Sequence, residues 1–68
     1  MKKYTIENKE WNSIVCRKKG GGRHYRQNKD TIGKGLEPIN TTYGRAIKER
    51  DFLNENYNEG WEVYEVEV

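Results

Sequence analysis

Hydrophobic and polar positions along the chain change period twice, and each change marks an element. From Trp11 to Lys18 the run Trp-Asn-Ser-Ile-Val-Cys-Arg-Lys is rich in β-branched and aromatic types and predicts a strand. Lys19-Gly20-Gly21-Gly22 follows, and successive glycines supply the positive φ angles of a tight reversal. A second strand is expected over 23–29 (Arg-His-Tyr-Arg-Gln-Asn-Lys). After the turn signal Asp30-Thr31, a weaker third strand is expected within 32–39, interrupted by Gly33, Gly35 and Pro38. Pro38 has no amide donor and belongs at an end or edge of that strand.

The period then becomes helical. Tyr43, Ala46, Ile47, Leu53 and Tyr57 fall on one face, flanked by Phe52, while Lys48, Glu49, Asp51 and Glu55 lie mostly elsewhere. Asn40, Thr41 and Thr42 offer N-caps, because a short side-chain oxygen can accept from the free amides of a first turn. Asn58-Glu59-Gly60 closes the helix, with Gly60 as a left-handed cap. Trp61 leads into a last strand over 62–68, in which Tyr64, Val66 and Val68 alternate with Glu65 and Glu67. Tyr4 and Ile6 alternate as well, so the two ends can pair and set Lys2 and Lys3 near the C-terminal glutamates. The expected fold class is α+β: a small antiparallel sheet of three to four strands packed on one α-helix, in the order β-β-β-α-β, with a possible extra first strand. One domain over 1–68 is expected.

Composition narrows the classes. At 68 residues with 32% hydrophobic content and mean hydropathy −1.23, no segment approaches the roughly 20 apolar residues of a membrane-spanning helix. The N-terminus, Met-Lys-Lys-Tyr-Thr-Ile-Glu-Asn, has basic residues with no apolar run behind them, so a secretory signal is not expected and the location expected is cytoplasmic. One cysteine and one histidine make neither an internal disulfide nor a closed zinc site, and no cofactor is implied. A core must come largely from aromatics: five tyrosines, two tryptophans and one phenylalanine.

Charge carries the functional signal. The net +2 hides ten basic residues against three acids over 1–36, a balance of +7, and three basic residues against eight acids over 37–68, a balance of −5. A basic half with interleaved aromatics is the electrostatic footprint of a phosphate-backbone partner. The candidate contacts are Arg17, Lys18, Lys19, Arg23, Tyr25, Arg26 and Lys29. Arginine suits base reading through its bidentate fork, lysine neutralises phosphate, and Tyr25 between His24 and Arg26 is the candidate stacking aromatic. The Lys18–Arg23 turn could cradle a backbone phosphate, but lacks the Lys-Ser/Thr pair opening a helix that a nucleotide-binding loop needs. Cys16 and His24 could form a nucleophilic pair only if a third orienting group and an oxyanion site were supplied, and none is evident. A non-enzymatic protein is therefore expected.

The strand, glycine turn, Arg/Tyr-rich strand and short third strand lead into a helix reading Arg45-Ala46-Ile47-Lys48-Glu49-Arg50-Asp51-Phe52-Leu53. This series resembles the Apetala/ethylene-response-factor DNA-binding domain, most of all its short prokaryotic and phage relatives attached to integrases and homing endonucleases. Ala46, Ile47, Arg50, Asp51, Leu53, Gly60 and Trp61 match the family's helix pattern and following Gly-Trp, and the resemblance covers about 11–61. It implies a three-stranded antiparallel sheet in the major groove of duplex DNA. Arg17, Lys18, Arg23, Tyr25, Arg26 and Lys29 would then be contacts, with the glutamates of the last strand lying away from the DNA. A phage or mobile-element regulatory or accessory factor would fit. Duplex DNA is favoured over RNA, although a basic sheet with aromatics suits both. The alternative is an inhibitor that binds a host defence or nucleic-acid enzyme, a protein partner, through the acidic C-terminal half.

Overall fold

The computed structural model describes residues 2–67, so Val68, counted above in the last strand, lies outside the described residues. Five strands and one helix follow in the order β1 (Lys2–Asn8), β2 (Ser13–Lys18), β3 (His24–Asn28), β4 (Leu36–Pro38), α1 (Tyr43–Asn56) and β5 (Trp61–Glu67). This is the expected antiparallel sheet packed on one helix, with the possible first strand realised as the seven-residue β1.

The sheet order is β3-β2-β1-β5, and β4 also pairs with β2. The strand β2 is thus the hub. Along one edge it pairs with β3 from Ser13↔Asn28 to Arg17↔His24. Along the other it meets β1 only at Glu7↔Ile14 and Asn8↔Ser13, and β4 then takes over at Cys16↔Pro38 to Lys18↔Leu36. The chain leaving β4 continues between the two strands: the Ile39 amide donates to the Val15 carbonyl at 3.1 Å, and Tyr4 and Thr41 exchange backbone hydrogen bonds of 2.9 Å. The terminal strands pair along their whole length, from Lys2↔Glu67 to Asn8↔Trp61. Lys2 accordingly reaches Glu65 at 3.3 Å, as the charge pattern implies.

The core is Ile6, Val15, Ile39, Ala46, Leu53 and Trp61, with Tyr4 and Val63 packed against it. On β5 the helix-facing positions are therefore Trp61 and Val63. Tyr64 and Val66 face the other way, where Lys9 sits 5.0 Å over the Tyr64 ring. The helix packs on β1 and β5, and this placement governs the rest of the molecule. Ala46 and Leu53 are buried and Ile47 half-buried, whereas Tyr43, Phe52 and Tyr57, counted on the apolar face, are exposed.

Both ends of the helix depart from the sequence expectation. Thr42 is the N-cap residue, but its hydroxyl makes no capping bond, so the helix start is held by the Tyr4–Thr41 bridge and by packing. The helix stops at Asn56, where the Tyr57 amide donates to the Leu53 carbonyl at 3.0 Å. Gly60, at φ +102°, turns the chain into β5 instead of capping the helix, and a Cβ there would lie 3.2 Å from Asn8 Oδ1.

Two asparagines lock this end. Asn8, fully buried, donates to the Glu59 carbonyl (3.0 Å) and accepts from the Trp11 amide (3.1 Å). Asn54 engages both backbone groups of Trp61, accepting at 3.0 Å and donating at 3.2 Å. Buried amides of this kind are costly unless bonded.

Candidate nucleic-acid interface

Strand alternation divides the candidate contacts between the two sheet faces. Val15 points into the core under the helix, so Arg17 and its β3 neighbours His24 and Arg26 share the helix side. Ile14, Cys16 and Lys18 point the opposite way with Tyr25 and Gln27. Arg17, Arg23 and Arg26 do not form one row on an open sheet face. The face away from the helix is itself covered at its centre. Ile14 and Cys16 are buried there, Tyr25 is half-buried, and the Gly33 amide donates to Gln27 Oε1 at 3.2 Å, tying back the β3–β4 loop. Burial pushes the Cys16 thiol above its ordinary pKa. Because Cys16 and His24 pair with Tyr25 and Arg17 respectively, their side chains project from opposite faces and form no catalytic pair.

Some of the candidates are already engaged. Lys29 Nζ meets Glu7 Oε1 at 2.7 Å, a contact that raises the lysine pKa chiefly through the hydrogen bond and then the charge. The Arg26 guanidinium stacks 3.7 Å over the Tyr57 ring, a cation–π contact across to the end of the helix. Arg17 Nε lies 3.9 Å from Glu37, and this nitrogen is buried with no hydrogen-bond partner.

Others are free. Gly20, Gly21 and Gly22 take φ values of 95°, 104° and 110°, as the reversal requires, and the Gly21 amide donates to the Lys18 carbonyl at 3.0 Å. The Lys19 amide donates to the Gly35 carbonyl at 3.1 Å, which lays the Lys34-Gly35 turn beside the hairpin. Lys18, Lys19, Arg23 and Lys34 thus gather at one end of the sheet, all exposed and none in an ion pair among the described residues. Lys34 escapes a sequence reading because only the Lys19–Gly35 contact carries it to the hairpin.

A second feature lies beside the helix. The helix covers β1 and β5, leaving a groove between its other flank and β3. The groove widens at one end into a cavity of about 430 Å³ lined by Arg17, His24, Arg45, Lys48 and Phe52 over Ile39. At the other end is a cavity of about 330 Å³ lined by Trp11, Ser13, Arg26, Asn58 and Trp61. A narrower space of about 90 Å³, bounded by His24, Arg26, Phe52 and Tyr57, lies between them and shares lining residues with both. His24 Nδ1 and Glu49 Oε1, 3.0 Å apart, bridge the two walls. Residues 45, 48, 49 and 52 are spaced three, one and three apart, one helical stripe. That spacing is readable in the sequence, but only the helix's lateral placement turns the stripe toward β3.

Compared with protein-family models, curated proteins and solved structures, the chain matches none of them.

Proposed function

We propose that this protein binds nucleic acid, with duplex DNA as the first target, through the basic end formed by the β2–β3 hairpin and the β3–β4 turn. The carrying observation is the cluster of Lys18, Lys19, Arg23 and Lys34, exposed and, among the described residues, unpaired around two glycine turns. Four cations without internal partners give a phosphate chain an unusually cheap set of contacts, since no ion pair has to be broken first. The acidic strand supports the same reading by its place: β5 is the opposite edge of the sheet from β3, with Lys2 on Glu65 and the Tyr64 hydroxyl donating to Glu62 at 2.8 Å. Compared with the resemblance to Apetala-type domains, the contact moves from a flat sheet face to the hairpin end. A phage or mobile-element accessory role fits a binding module of this size.

Retention on duplex DNA at low salt is the test. The protein should bind, and Lys18→Ala, Lys19→Ala and Arg23→Ala combined should weaken binding while leaving the circular dichroism spectrum unchanged. Absence of retention by the unaltered protein would end the proposal.

A further inference from the structure

We infer that the groove between α1 and β3 receives an unpaired nucleic-acid strand, so that the protein engages a single strand in addition to the duplex contact at the hairpin end. This rests on the nucleic-acid reading above and adds the form of the ligand.

Three observations carry it. The first is aromatic exposure. Trp11, 62% exposed, lines the smaller cavity, and Phe52, 54% exposed, stands where the larger cavity meets the waist. Contrary to the expectation of an aromatic core, the core is aliphatic apart from Trp61, and the rings left outside offer the flat faces on which bases stack irrespective of sequence. The second is charge. Arg17, Arg45 and Lys48 line the larger cavity and Arg26 stands at the waist, against the carboxylates Glu37 and Glu49. Arg17 reaches the larger cavity with its Nε beside Glu37, leaving the rest of its guanidinium fork as the donor for a phosphate or base oxygen. The third is shape. A helix of 14 residues gives the groove a length of roughly 20 Å, room for on the order of four nucleotides, the lower end of known single-strand sites. The two cavities would each take a base, on Phe52 and on Trp11. The strand's backbone would pass over the waist between them, which the His24–Glu49 contact at 3.0 Å and the Arg26–Tyr57 stack at 3.7 Å cross.

The test uses fluorescence anisotropy with labelled twelve-residue DNA and RNA oligonucleotides and with a blunt duplex of twenty base pairs. Tryptophan emission is followed in parallel, because Trp11 is open to a stacking base whereas Trp61 is 3% exposed. Single strands should bind and quench the tryptophan signal, and the quench should vanish in Trp11→Ala. Phe52→Ala and Trp11→Ala should each weaken single-strand binding by about five- to a hundredfold and leave duplex affinity within about twofold. Far-ultraviolet circular dichroism checks that both variants fold, and Phe52→Tyr, which keeps a stacking ring, should retain most of the affinity. Duplex binding without single-strand binding, or single-strand binding indifferent to Phe52→Ala and Trp11→Ala, would overturn this inference and leave the basic-end proposal standing. Loss of every nucleic-acid interaction would remove both. A dimer in sedimentation that dissociates on Phe52→Ala would show that a second copy occupies the groove, which also overturns it.

Discussion

At the scale of single residues, the molecule depends on a few side chains whose importance lies in position more than type. Asn54 holds both backbone groups of Trp61, so Asn54→Ala should lower unfolding free energy by about 1–3 kcal/mol, read from urea denaturation. An unchanged midpoint would show that water replaces the side chain at no cost. Cys16 has no exposed surface and a raised thiol pKa, so it should react with a disulfide reagent only at the rate of opening, and at once in denaturant. A lone cysteine behaves by type as a small apolar side chain, and the structure buries Cys16 accordingly. Asn8 and Asn54 were not legible, because an asparagine near a turn signal reads as a turn residue. Only the closure of β1 on β5 brings Asn8 beneath Gly60.

At the scale of elements, strands and helix were legible from period, while their sides were not. The alternation of Tyr64 and Val66 against Glu65 and Glu67 marks a strand correctly, yet the core-facing set is Trp61 and Val63. Alternation gives two faces, and the packing of β1 with β5 under the helix selects between them. The helix repeats the lesson, since its apolar residues outnumber the places under it. Leu53→Ala, in the core, should cost about 2–5 kcal/mol, whereas Phe52→Ala should cost far less in the same urea titration. The face of β1 and β5 away from the helix gives a pH prediction. Lys29 is raised chiefly by its hydrogen bond to Glu7, and Tyr64 by its hydrogen bond to Glu62 and then by burial. Both groups hold their protons more tightly folded than unfolded. Their stabilisation is therefore present below the ordinary values near pH 10 and is lost as pH rises through the raised native ones. The urea midpoint should fall as pH rises above about 10, and less steeply in Tyr64→Phe. A midpoint flat across that range would contradict the two contacts.

At the scale of the whole molecule, a net charge of +2 conceals a spatial division that the sequence had already shown as two halves. Folding joins the halves at β1 and β5, with Lys2 on Glu65, and keeps apart only their far edges: β3 and the hairpin turn form one edge of the sheet, and the glutamates of β5 the other. The molecule extends 27 Å across, several times the screening length of about 8 Å at physiological ionic strength, so a ligand at the hairpin end feels little of β5. Among the described residues no helix is long and apolar enough to cross a membrane. Seven candidate contacts were legible as types, but their fates differ. Lys18, Lys19 and Arg23 gather with Lys34. Arg17 and Arg26 line the groove, Lys29 is paired with Glu7, and Tyr25 lies half-buried beside Cys16. The groove was not legible because it arises from where the helix is absent.

The basic-end claim is tested most directly by the salt dependence of duplex binding, measured from 50 to 300 mM salt (about the useful range for such titrations). Affinity should fall linearly in logarithmic coordinates. The Lys18→Ala, Lys19→Ala, Arg23→Ala variant should give a slope shallower by about three, roughly one counterion for each cation removed. A slope identical in the variant and the unaltered protein would place the phosphate contacts elsewhere and contradict the account.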